Sequence, residues 1–179
     1  MNPGRGATNV PLNVTSGATG SPPERVWKVR REARAVAEAR RFAELAISSC
    51  SADCRRATSM VVAELTENLL KYGGNDDDSE AGTIAISVRA GLVRIRVSNV
   101  PKRAEDARLV REMIARISTA PNVMQLYRSR LGELLKNPAL PRAQLGLLRI
   151  VFEGGFKLSC RFDPPFLEIT AERSCGGEK

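Results

Sequence analysis

The sequence contains no histidine. Catalytic triads built on imidazole, and zinc sites with imidazole ligands, are therefore excluded. Aromatic residues make up only 4% of the chain and are not interleaved with the basic residues. Bases of single-stranded nucleic acid stack on platforms that need such interleaving, so the composition argues against a nucleic-acid-binding domain. No apolar run approaches the roughly 20 residues of a membrane span. The opening stretch MNPGRGATNVPLNV has no apolar core of the signal-peptide kind, and the expected location is cytoplasmic. The four cysteines, Cys50, Cys54, Cys160 and Cys175, are too sparse for a disulfide framework in 179 residues. They are expected to be unpaired small side chains in a reducing compartment. Cys50 and Cys54 do not have the spacing of a zinc knuckle, and the other two lie far along the chain.

What is present is an ordinary core-forming composition, 42% hydrophobic, with a net charge of +8. That length and composition fit one domain with a real core. The positive charge suits an anionic partner such as a nucleotide or an acidic protein. The lysines and arginines are spread along helical stretches among acidic residues, as on a solvated face.

Residues 1–24 are rich in Gly, Pro, Ser, Thr and Asn and nearly uncharged, which predicts a flexible tail dispensable for folding. RVWKVRREA alternates as a first strand. AVAEARRFAELAISSC carries Ala35, Ala39, Phe42 and Ala46 on one helical stripe. Ser51 or Asp53 caps a second helix from about Cys54 to Tyr72, which Gly73 and Gly74 end. NDDDSEAG reads as a solvated turn rather than a calcium or magnesium loop, since its aspartates have no fixed ligand spacing. TIAISVRA and LVRIRVSNV form a hairpin about Ala90-Gly91. Two helices follow, AEDARLVREMIARIST and VMQLYRSRLGELLKN, broken at Ala120-Pro121. A further helix starts near Pro141, and FKLSCRFD and FLEITAER close the chain as two strands. The order predicts an α/β two-layer sandwich, with a mixed, mainly antiparallel sheet covered on one face by helices. The domain spans residues 25–173, with a short C-terminal tail at 174–179. The expected core includes Phe42, Val61, Leu65, Leu69, Ile86, Ile95, Leu148, Val151, Leu158 and Ile169.

Within the second helix, ELTENLLKYGG places Glu64, Asn68, Lys71 and Tyr72 at i, i+4, i+7 and i+8. A carboxylate and a carboxamide then point the same way, one turn apart. Such a carboxylate accepts a proton, and such an amide oxygen ligates Mg²⁺. The same spacing also describes solvent-exposed polar residues on an amphipathic helix. Glu-x-x-x-Asn on a helix, followed by a polar loop and a strand pair, resembles the GHKL superfamily of histidine-kinase-like ATPases. ARRFAELAISSCSADCRRATSMVVAELTENLLKYGG looks most like anti-sigma-factor kinases of the RsbW kind. The downstream VSNV, QLYRSRL and Leu-Gly-Leu segments look closer to SiaB-type serine/threonine protein kinases. The resemblance covers most of residues 26–172 and implies an ATP-dependent kinase acting on a STAS-like regulatory protein, with a homodimer in keeping with the family. It implies Glu64 as general base and Asn68 as the Mg²⁺ ligand against the ATP phosphates. Lys71, Ser98, Asn99, Arg142 and Gly146 complete the implied nucleotide-binding set.

The chain also departs from that pattern. The Asp-x-Gly-x-Gly that follows the second strand of the pair is replaced by VSNVPKR, which leaves Ser98 or Asn99 to meet adenine. The glycine-rich box is reduced to RAQLGLL, in which Gly146 alone remains. Ala143 and Gln144 should narrow the phosphate cradle, and Arg142 offsets the loss with charge. These departures predict weak nucleotide affinity. They also keep open a second reading, an interaction module that retains the fold but binds ATP weakly or not at all.

Overall fold

The computed structural model describes residues 13–15, 24–74, 79–139 and 143–175. The elements run β1 (Asn13–Thr15), β2 (Glu24–Arg30), α1 (Ala35–Ala46), α2 (Ala52–Tyr72), β3 (Glu80–Arg89), β4 (Leu92–Asn99), α3 (Ala104–Thr119), α4 (Val123–Lys136), α5 (Ala143–Phe152), β5 (Lys157–Asp163) and β6 (Phe166–Ser174). The six strands form one sheet in the order β1-β2-β3-β4-β6-β5. Every pairing in it is antiparallel, so the sheet expected to be mixed and mainly antiparallel holds no parallel pair among the described strands.

Alternation decides which way each strand faces. Val93, Ile95 and Val97 on β4 and Leu167, Ile169 and Ala171 on β6 are buried beneath the helices. The residues between them face the other way, and Arg94, Arg96 and Glu168 among them carry charge. Arg94 lies opposite Glu172 in the ladder and binds it at 2.5 Å, while Arg96 Nε donates to Glu24 at 3.0 Å. One face is therefore packed and the other is laced with ion pairs, as in a two-layer α/β arrangement. Edge strand β5 sends Lys157, Ser159, Arg161 and Asp163 to solvent, which blunts that edge against further pairing.

Helices α1 and α2 pack on β2, β3 and β4. Trp27 of β2 stacks on Phe42 of α1 with ring centroids 6.1 Å apart. Ser51 Oγ accepts from the Cys54 amide at 3.3 Å, so the expected N-cap forms. Eight of the ten expected core residues are buried, while Val151 and Leu158 are partly buried against the same core. Two expectations meet a different structure. First, Asn13–Thr15 of the N-terminal segment pair with Glu24–Val26, so that segment contributes a short edge strand. Second, Cys54 and Cys175 form a disulfide, where unpaired thiols were expected. The two are 121 residues apart in sequence, but β6 ends beside the start of α2 and brings their Cα atoms to 5.8 Å. The aspartates of NDDDSEAG and the expected helix start at Pro141 lie outside the described residues.

The C-terminal end of α2 is held tightly. Arg31 Nη1 donates to Leu70 O at 2.8 Å, and the same guanidinium reaches Gly73 O, so a cation closes the carbonyl end of the helix. Gly74 N donates to Val100 O at 2.7 Å and Lys102 N to Tyr72 O at 2.9 Å. This close approach requires glycine at 73, because a Cβ there would lie 2.3 Å from Ala81 O and 2.8 Å from Leu69 O. Both are backbone atoms, which cannot swing away. Gly73→Ala should therefore destabilise the fold toward the upper end of the roughly 1–3 kcal/mol typical of overpacking. Gly132→Ala, in α4 with open space around it, should instead stabilise by up to about 1 kcal/mol through helix propensity. Urea unfolding midpoints of the two variants check this contrast in sign.

Candidate active site

The C-terminal half of α2 forms one wall of a cavity of about 240 Å³. Leu65, Asn68, Leu69 and Tyr72 supply that wall, and Val97, Asn99, Leu167 and Ile169 supply the sheet side. Asp106, Leu109 and Val110 of α3 and Gln144 and Leu147 of α5 complete the lining. The wall is largely apolar with a few convergent polar groups, the usual make-up of a small-molecule site. Its volume falls slightly below the roughly 300–1,000 Å³ of drug-sized pockets, which suits a flat ring system better than a whole large ligand.

Asn68 is half-buried on this wall, and its carboxamide makes no hydrogen bond to any described residue. Both its oxygen and its NH₂ are thus available to a ligand. Asn99 lines the cavity from the last position of β4. Ser98 does not. It faces away from Val97 and Asn99 by strand alternation and sits in the ladder opposite Thr83 and Glu168. Lys71 is exposed and outside the cavity wall. Helical rotation explains this, since Leu65, Leu69 and Tyr72 fall on one side of Asn68 and Lys71 on the other. Arg142 lies outside the described residues.

Glu64 sits one turn before Asn68, just beyond the cavity, with its side chain 17% exposed. Arg149 of α5 ion-pairs with Glu64 Oε1. The same guanidinium is held from its other side by Glu153, at 3.2 Å from Nε and 3.1 Å from Nη2. Tyr127 O–H donates to Glu153 at 3.3 Å and extends the network to α4. The other oxygen, Glu64 Oε2, faces Gly146. A Cβ on Gly146 would lie 2.7 Å from Oε2 and 3.9 Å from Asn68 Nδ2. Gly146 thus makes room for the Glu64 carboxylate where α5 crosses α2. Burial pushes the Glu64 carboxyl above the usual carboxylate range. Arg149 opposes that shift, Glu67 and Glu153 add to it, and Arg40 opposes it more weakly. A carboxyl held this way is poised nearer neutrality than an exposed glutamate, which suits a general base.

Two contributors, Arg149 and Asp106, were not foreseen from the sequence, and Tyr72, placed by its spacing on the face of Glu64 and Asn68, had no role assigned. Arg149 follows Gly146 by one helical turn, so its place beside Glu64 follows once Gly146 is put there. Asp106 is buried and lines the cavity, held by Arg103 through Nη2–Oδ1 at 2.7 Å and Nε–Oδ2 at 3.1 Å. Tyr72 brings a phenol whose pKa is raised by burial first and by the Asp106 carboxylate second, which keeps it a hydrogen-bond donor. A scan of the chain against protein-family models and a search of curated proteins find no match.

Proposed function

We propose that the chain is an ATP-binding protein of the histidine-kinase-like ATPase type, acting as a serine/threonine kinase on a small STAS-like regulatory protein. The observation that carries this reading is the cavity beside α2, with Asn68 on its wall and Glu64 one turn away against Gly146. Adenine would enter the apolar part between α2, β4 and α3, where Asp106 supplies the carboxylate that the VSNV segment lacks. Asn99 and Tyr72 add polar contacts at its rim. The unengaged Asn68 carboxamide fits an oxygen ligand for Mg²⁺, and the cation bound there would neutralise charge on the transferred phosphoryl group. Glu64 takes the proton of the partner's serine or threonine hydroxyl, that oxygen bonds to the γ-phosphorus, and ADP leaves. Because Arg149 holds Oε1, the oxygen on the Gly146 side is the one free to accept the proton.

Calorimetric titration with ATP, with and without Mg²⁺, tests the binding half of this reading. Mg²⁺-dependent binding weaker than micromolar is expected, because Arg103 already holds Asp106. Asp106→Asn should weaken it further by about tenfold, the cost of one charge-assisted hydrogen bond. No binding at millimolar ATP would contradict the kinase reading.

Gly146→Ala separates folding from function at this site. Alanine gains up to about 1 kcal/mol of helix propensity, and the atom its Cβ meets is the movable end of Glu64. The fold should hold or tighten. Displacing the base by a fraction of an ångström to 1 Å should still lower phosphotransfer by about 10²-fold. Thermal unfolding and a phosphotransfer assay on the same sample check both parts.

The second reading, an interaction module without turnover, is favoured by two observations. Arg149 ties up one oxygen of Glu64, and α4 exposes Met124, Leu131 and Leu135 on an apolar face. That face suits contact with a protein partner under either reading.

A further inference from the structure

Three of the four cysteines converge at one point. Cys50 comes from the turn between α1 and α2, Cys54 from the first turn of α2, and Cys175 from the residue after β6. Their Sγ atoms all lie within 4.8 Å of one another. A disulfide staple needs two sulfurs, and Cys54 and Cys175 provide them. The third sulfur at the same spot is what a staple does not require.

The backbone fixes this donor set from three directions. Cys50 N donates to Ile47 O at 2.9 Å, Cys54 N to Ser51 Oγ at 3.3 Å, and Cys175 N to Gly91 O at 2.5 Å. The Cys50-x-x-x-Cys54 spacing, though not that of a zinc knuckle, falls within the two to four intervening residues common to paired thiolate ligands. Charge is arranged to match. Cys54 sits at the N-terminal end of α2, where the helix dipole favours negative charge. Arg55 Nη1 donates to Cys50 O at 2.9 Å, and Arg173 Nη1 donates to Gly154 O at 2.9 Å nearby. Three thiolates around a divalent cation carry one net negative charge, which the α2 N-terminus and Arg55 offset, while Arg173 is paired with Asp53.

We propose that the reduced chain binds one Zn²⁺ through the Sγ atoms of Cys50, Cys54 and Cys175. The site forms in two balanced steps. A phosphine or dithiol reductant supplies two electrons, which with two protons convert the Cys54–Cys175 disulfide to two thiols. Zn²⁺ then displaces three thiol protons to solvent. Tetrahedral Zn–S bonds of about 2.3 Å place the sulfurs about 3.8 Å apart, so the cluster needs only a small rearrangement once the disulfide opens. Cys50 and Cys175 are half-buried, so water takes the fourth position. Soft thiolates select a thiophilic cation over Mg²⁺ or Ca²⁺. This site is separate from the cavity beside Asn68 and does not depend on the kinase reading.

The test is a titration of the full-length, phosphine-reduced chain with Co²⁺ and then Zn²⁺ under anaerobic conditions. One Co²⁺ per chain should give thiolate-to-cobalt charge transfer in the near ultraviolet, and Zn²⁺ should abolish it. Zn²⁺ should also protect Cys50, Cys54 and Cys175 from alkylation and leave Cys160 reactive, as read by mass spectrometry of the wild-type protein. Cys50→Ser should weaken Zn²⁺ binding by about tenfold or more, while Cys160→Ser leaves it unchanged. Absence of the cobalt band overturns the proposal. So does a Cys50→Ser variant that binds like wild type, or a wild-type alkylation pattern in which Zn²⁺ leaves Cys50 reactive.

Discussion

Glu64→Gln is expected to lower phosphotransfer by about 10²–10⁴-fold while leaving ATP binding nearly unchanged. Glutamine keeps the shape of the side chain and an oxygen for Arg149 but cannot accept the hydroxyl proton. Asn68→Ala should fail differently. It removes the proposed metal ligand, so Mg²⁺-dependent binding is lost and turnover falls with it. The pH dependence adds a sign. Burial, the largest influence on Glu64, raises its pKa in the folded protein. The folded state therefore holds this proton more tightly than the unfolded chain does. Its stabilising contribution is complete below the ordinary glutamate value and is lost as pH rises through the raised one. Relative to wild type, Glu64→Gln should gain stability on going from acid to neutral pH. The activity of the wild type should rise with pH through that same raised value, a limb that the variant lacks. Rate profiles and urea midpoints across this window measure both effects. If both variants instead keep wild-type binding and turnover, the two residues have a structural place on α2 and no part in catalysis.

Opening the Cys54–Cys175 disulfide is expected to cost about 4–5 kcal/mol of stability in the absence of zinc. The bond closes a loop spanning 121 residues, and the chain entropy that it removes from the unfolded state grows with loop length. It ties the start of α2 to the end of β6, so the closed loop holds every described element except β1, β2 and α1. Cys175→Ser should reproduce the loss under oxidising conditions, whereas Cys160→Ser should not. Denaturant unfolding of oxidised, reduced and variant protein gives the comparison. Equal midpoints for the oxidised and reduced chains would mean that the staple adds nothing to folding.

Much of this architecture is legible in the residue pattern, because each element obeys one period. The hairpin of β3 and β4 alternates cleanly and turns at Ala90-Gly91, with φ values of 47° and 75° at those two residues. Ser51 stands where a cap is needed, and Gly73-Gly74 stand where α2 must end. The features that escaped sequence reading depend on the assembled topology. No local pattern says that β6 will finish beside Cys54, so the cysteine cluster is invisible until the sheet is ordered. Asp106 lies in the first turn of α3 beside Glu105, where an acidic residue is the ordinary complement of the helix dipole. Only the packing of α3 over the cavity distinguishes it from its exposed neighbour. Three residues are too few to read as a strand, so β1 was hidden within a polar segment. Ser98 is a different case. Its face follows from the alternation of Ile95 and Val97, which places Asn99 on the cavity side and Ser98 opposite.

The most direct measurement is amide hydrogen exchange of the intact chain with and without Mg²⁺ and ATP. Added protection is expected in three segments that line the cavity: the second half of α2 around residues 65–72, the end of β4 into the start of α3, and the first turns of α5. Asn68→Ala should lose that protection, with the exchange of β5 unchanged throughout. Protection that appears elsewhere, or none at saturating nucleotide, would contradict the assignment of this cavity as the nucleotide site.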